Sequence, residues 1–79
     1  MRGLKAGDLV YITLWYPGAF TYLLPTIRDL SIGDHPKFKK EHLGLIVDEP
    51  KKYSNNTWYR ILAPEGIGWV PRFEIARVE

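Results

Sequence analysis

Runs of β-branched and aromatic residues in this chain are short, and all but the last are followed by a proline or a proline–glycine break. Lys5-Ala6-Gly7-Asp8 reads as a turn that launches a strand from Leu9 to Tyr16. Pro17-Gly18 stops it. Alternation puts Val10, Ile12 and Leu14 on the core face, with Leu9, Tyr11, Thr13 and Trp15 opposite. A second strand is predicted over His42 to Asp48, with Leu43, Leu45 and Val47 on one face and Ile46 on the other. Gly44 within it marks a bulge or a close backbone crossing. Glu49 to Asn56 reads as a polar loop. The third strand, Thr57 to Ala63, alternates Tyr59, Ile61 and Ala63 against Trp58, Arg60 and Leu62. Pro64-Glu65-Gly66 makes a tight turn into a fourth strand, Ile67 to Val70. Pro71 pre-sets φ for one helical turn through Phe73. A fifth strand, Ile75 to Val78, ends the chain. The core set is then Val10, Ile12, Val47, Ile61, Val70 and Ile75.

Residues 17 to 41 are irregular but not a polar linker, since Phe20, Tyr22, Leu23, Leu24, Ile27, Leu30 and Ile32 lie among them. A structureless loop of that length is uncommon in a small domain. It is expected to fold back as an irregular hairpin or to pack over the core. A short helix over Thr26 to Leu30, capped by Thr26, is an option for part of it, and Gly33-Asp34 offers a turn. If Phe20, Tyr22, Leu23 and Leu24 are not buried, they form a patch for a homo-oligomer or a larger assembly.

With 79 residues the chain is one domain, residues 1–79, and it has no cysteine to cross-link a small core. An aromatic content of 14% is too high for a disordered chain. Five short strands with glycine and proline at the corners therefore indicate an all-β fold. Either a barrel or two small orthogonal sheets would satisfy the pattern.

The residues at the corners resemble those of a known family. Gly68-Trp69-Val70-Pro71-Arg72-Phe73-Glu74-Ile75 is similar to the glycine–aromatic–aliphatic–proline segment that ends the fourth strand of Src-homology-3-like (SH3-like) barrels. Trp58-Tyr59 resembles the paired aromatics at the head of their third strand. Lys5-Ala6-Gly7-Asp8-Leu9-Val10 and Gly44-Leu45-Ile46-Val47 look like first- and second-strand motifs of small bacterial and phage barrels. In particular the chain is similar to short single-barrel proteins of marine cyanobacterial tailed phages. The resemblance covers roughly 50 residues, all outside 17 to 41. It implies a five-stranded SH3-like barrel with a long irregular loop after strand 1 and a single helical turn before the last strand. The chain departs from peptide-binding members at Glu74, where they carry a groove-lining tyrosine. Of the acidic residues that pair with ligand arginine, only Asp29 and Asp34 stand in the long loop.

The expected function is a non-enzymatic protein-interaction or small structural module. Trp58, Trp69, Pro71 and Phe73 would cluster on one side, with Tyr16 beside them. They serve either as an aromatic groove for a peptide or for stacked bases, or as wall residues under the 17–41 loop. Lys37, Lys39, Lys40, Lys51 and Lys52 are candidate phosphate contacts, alongside Arg60. The alternative function is weak single-stranded nucleic-acid binding by this basic-plus-aromatic face. Eleven basic against nine acidic residues is too even a balance for a dedicated duplex binder. Catalysis has little support. Ser31 and Ser54 have no nucleophile elbow, and no glycine-rich phosphate loop is present. His35 and His42, with Asp34 and Glu41, fall short of converging metal ligands, so no metal or cofactor is expected. No segment approaches the ~20 apolar residues of a membrane span, and Asp8 breaks any signal-like run near the start. The cytoplasm of the source or host cell is the expected location.

Overall fold

The computed structural model describes residues 3–27 and 35–78. The chain is all-β. Its strands are β1 (Leu9–Ile12), β2 (Phe20–Tyr22), β3 (Lys37–Lys39), β4 (Gly44–Ile46), β5 (Lys51–Tyr53), β6 (Asn56–Ala63), β7 (Gly66–Pro71) and β8 (Ile75–Arg77), with a single 3₁₀ turn at Arg72–Glu74. Each of the five expected strands has a counterpart, and β2, β3 and β5 are additional. The strand expected to reach Tyr16 ends as a ladder at Ile12, although Thr13 still donates to the Glu74 carbonyl at 3.0 Å.

Six strands form one antiparallel sheet. β8 pairs with β1, β1 with β4, and β4 with β6. β6 pairs with β7 along its other edge. β7 and β8 do not pair with each other, so the described strands are not closed into a barrel by hydrogen bonds.

The predicted polar loop over 49–56 is in fact half strand. β5 pairs with the start of β6, and the turn between them carries positive φ at Ser54 (54°) and Asn55 (66°). That pair of values is what a type I′ hairpin turn requires. β4 and β5 also pair with one partner, β6. Ile46 faces Ile61 and Lys51 faces Trp58. The chain takes five steps from Ile46 to Lys51 while β6 takes three from Ile61 to Trp58. The surplus of two residues is a bulge over 47–50, which bends the strand and lets it serve two halves of the sheet.

The core is a continuous cluster. Val10, Ile12, Ile46, Ile61, Val70 and Ile75 are all 1% exposed or less, and Tyr59 joins them. Val47 does not: it is 39% exposed, and Ile46 takes the inward position instead. The second strand's faces are therefore the reverse of the expectation. The cause is Gly44. It occupies an inward position with no side chain, because a Cβ there would lie 2.4 Å from Ile61 Cγ2 and 3.0 Å from the Phe38 ring. With that inward position silent, alternation favours the outward Leu43, Leu45 and Val47.

The 17–41 excursion folds back as a hairpin of β2 and β3, as one of the two expectations held. Thr21 and Phe38 are opposite each other and point inward, while Phe20, Tyr22, Lys37 and Lys39 point outward. Phe38 and Leu23 are buried in the main core. Leu23 thus cannot belong to an oligomerising patch. Leu24 pairs with Trp69 through two backbone bonds of 2.7 and 3.2 Å, which covers the open edge of β7. The expected Thr26–Leu30 helix falls largely outside the described residues, and the Gly33-Asp34 turn lies wholly outside them.

A side-chain hydrogen bond between His42 Nδ1 and Glu65 Oε2 ties the segment before β4 to the β6–β7 turn. Burial pushes the Glu65 carboxyl up, but the His42 bond and charge, with backbone donors, outweigh it and hold the group below its ordinary 4.5. A lowered folded pKa stabilises the fold above the unfolded value, and that stability is lost as pH falls through the folded value. Glu65→Gln should therefore flatten the acid side of a melting-temperature profile taken from about pH 7 to about pH 3. A variant profile parallel to the parent's below pH ~4.5 would show that the pair carries no linkage.

Candidate functional site

The β5–β6 hairpin and the segment after β2 enclose a cleft of about 480 Å³ lined by Thr26, Ile27, Lys51, Lys52, Tyr53 and Trp69. Three local features build it. The Ser54–Asn55 turn sets the register that puts Lys51 opposite Trp58 and Tyr53 opposite Asn56. β7 brings Pro71 opposite Trp58 and Trp69 opposite Arg60. Partners in an antiparallel ladder share a face, so Lys51, Trp58, Pro71, Arg60 and Trp69 stand on one side of the sheet. The Leu24–Trp69 pairing then brings the chain beyond β2 alongside β7, where Thr26 and Ile27 form the opposite wall.

Lys51 Nζ lies 5.4 Å from the centroid of the Trp69 ring, a cation–π arrangement. Trp69 is itself only 8% exposed, so it forms the floor of the cleft rather than a projecting platform. Tyr53, 39% exposed, is its accessible aromatic side chain. Trp58 is 7% exposed, and its Nε1 is buried without a hydrogen-bond partner. It is a wall residue beneath Lys51 and Pro71.

The five residues expected to make one aromatic groove are thus only partly brought together. Trp58, Trp69 and Pro71 are neighbours on one sheet face. Phe73, 70% exposed on the 3₁₀ turn, and Tyr16, 45% exposed, do not line the cleft. Tyr16 instead meets the ring of Trp15 edge-on at 6.0 Å. The lysines also separate. Lys51 and Lys52 line this cleft, whereas Lys37 and Lys39 line another, of about 320 Å³, with Gly18, Phe20 and Glu41. Lys37 Nζ lies 4.9 Å from the Phe20 ring centroid, and Lys40 donates to the Leu14 carbonyl. Arg60 is placed near Asp48, at 3.9 Å.

Glu74 accepts a 3.1 Å hydrogen bond from Thr21 Oγ1. It ties β2 to the 3₁₀ turn. Asp29 and Asp34 lie outside the described residues. His42 is engaged with Glu65, and the Tyr22 and His35 rings are 6.3 Å apart, so the histidines have separate surroundings. Among the described residues, no group of three or more histidine, aspartate or glutamate side chains could hold a metal ion. No helix there is long and apolar enough to cross a membrane.

Thr26, Ile27 and Tyr53 were not expected at the site. Tyr53 sits one residue before Ser54-Asn55, a turn pair that announces a hairpin less plainly than Asn-Gly does. For Thr26 and Ile27 the signal is weaker still, because their place depends on the pairing of Leu24 with β7. The chain matches no protein-family model, no curated protein and no solved structure.

Proposed function

We propose that the chain is a non-enzymatic protein-interaction module of the SH3-like kind, in which the Lys51–Trp69 cleft receives an extended acidic peptide segment. The strand succession supports the SH3-like part of the reading. A first strand, a hairpin excursion, a bent second strand, two hairpin-linked strands, a 3₁₀ turn and a last strand paired with the first follow in the order that family uses. The resemblance to small phage barrels, and a place in the cytoplasm of the source or host cell, belong to the same proposal.

The observation that carries the ligand class is the chemistry of the cleft. Lys51 stands over Trp69 with Lys52 and Tyr53 beside it, and among the described residues no acidic side chain lines the cleft. A basic, proline-rich ligand finds no carboxylate among those described residues. An acidic segment with an apolar or aromatic residue finds both a charge partner and an aromatic floor. The nucleic-acid alternative is less well supported, because Lys37, Lys39 and Lys40 lie apart from this cleft and Trp58 offers no open face for stacking.

The test is a titration of intrinsic tryptophan fluorescence with an acidic tyrosine-free, tryptophan-free peptide containing phenylalanine. Binding is expected, and Lys51→Glu should weaken it at least about tenfold. A basic proline-rich peptide that binds more tightly would reverse the ligand class. Quenching by a thymidine oligonucleotide alone, falling steeply with salt, would replace the peptide reading with the nucleic-acid one.

A further inference from the structure

The outer face of the six-stranded sheet carries a second surface, separate from the cleft. Register sets Leu9 opposite Leu45, Leu45 opposite Leu62, and Leu62 opposite Ile67. Directly opposed residues of an antiparallel ladder project to the same side. These four side chains therefore form one aliphatic row across β1, β4, β6 and β7. The row faces solvent: Leu9 is 45% exposed, Leu62 48% and Ile67 44%, and only Leu45, flanked on both sides, is partly covered. Tyr11 and Leu43, on neighbouring positions, are exposed as well. No charged residue stands in the row. The Arg60–Asp48 pair lies on its cleft side and separates the two surfaces.

We infer that this row is a dimer face, on which a second copy of the chain packs its own row across a two-fold axis. Charge favours a second copy over a charged partner. An isologous contact sets each residue near its own copy, so a charge close to the axis would meet its like; here the centre of the face has none. The shape fits too. A row that crosses four strands presents a broad face, and two such faces stack about 10 Å apart with side chains interdigitating. The extent fits a weak contact. Five of these six residues are 41–50% exposed and contiguous, the kind of apolar patch that marks contacts. Two such rows packed together fall in the small, transient class of interface, below about 1,200 Å². The dimer is therefore reversible and concentration-dependent. The expected oligomer route through residues 17–41 is different. There Leu23 is interior, and of the outward residues Phe20 and Tyr22 pack on each other, ring centroids 5.3 Å apart.

Sedimentation equilibrium of the intact chain tests the assignment. The weight-average mass should climb from monomer at about 10 µM toward twice that value at about 1 mM. Leu62→Glu should hold it at monomer throughout that range. Ile67→Lys, at the edge of the same row, should do the same. Both positions are exposed, so circular dichroism and melting should stay near the parent's and show that the fold is intact. Tyr22→Ser, on the other sheet, should leave the dimer in place. A parent chain that remains monomeric at the highest concentration overturns the proposal and leaves the row to some other apolar partner. A dimer that survives Leu62→Glu, or one lost only in Tyr22→Ser, overturns it in favour of a different face.

Discussion

Gly68→Ala is expected to be the most damaging single-methyl change in the molecule. A Cβ at Gly68 would lie 2.4 Å from the Leu23 carbonyl carbon and 2.7 Å from its Cα. Those are backbone atoms, so no rotamer change relieves the clash. The hairpin must lift from β7, and with it go the two Leu24–Trp69 hydrogen bonds and the burial of Leu23. Overpacking against side chains costs about 1–3 kcal/mol, and a fixed backbone belongs at the upper end. For a domain of this size ~3 kcal/mol lowers the melting temperature by about 12–24 °C. Gly3→Ala is the matched control, since nothing lies within 4 Å of that position. A Gly68→Ala melt within about 2 °C of the parent would mean that the excursion does not rest on β7 at all.

Phe38→Ala should be comparable for the opposite reason. Phe38 has no measurable exposure and is the largest of the fully buried side chains. It is also the main anchor of β3, because its neighbours Lys37 and Lys39 point outward. Truncating a buried phenylalanine costs about 3–5 kcal/mol. A 79-residue domain has only about 4–12 kcal/mol in total. Urea denaturation should accordingly show a midpoint displaced by about a quarter or more, or no folded baseline. Phe38→Leu keeps most of the volume and should lose less than about half as much. Equal losses for the two variants would show that the ring's size is not what holds the hairpin down.

Much of the main sheet could be read from the residues because punctuation and alternation agreed. Val10 and Ile12, Tyr59 and Ile61, and Val70 and Ile75 were placed inward from pattern alone. The failures have physical causes. β5 was invisible because Lys51, Lys52 and Tyr53 are all exposed and carry no apolar signal. Its turn also uses Ser-Asn where Asn-Gly would have announced a hairpin. Val47 was placed inward because its outer face is as aliphatic as a core, the same row proposed above as an interface. The excursion's inward residue, Phe38, is flanked by two lysines in an otherwise polar stretch, and only the three-dimensional approach to Gly44 explains its burial. The candidate site was legible where it depends on β6 and β7, as with Trp58, Trp69 and Pro71. It was not legible where it depends on a wall supplied from elsewhere in the chain.

The bulge over 47–50 has a consequence for how such a domain diversifies. Side-chain direction in a strand alternates, so what matters about the surplus is its parity. A surplus of two keeps Lys51 on the Trp69 face and Lys52 on the other. One residue more or fewer in that exposed stretch would exchange the two faces and set a different side chain over the tryptophan. The core would be untouched, because Ile46 and Ile61 are fixed on the near side of the step. Cleft chemistry is thus governed by segment length as well as by residue identity. A lineage could retune the ligand by a single insertion or deletion without any substitution in the cleft itself.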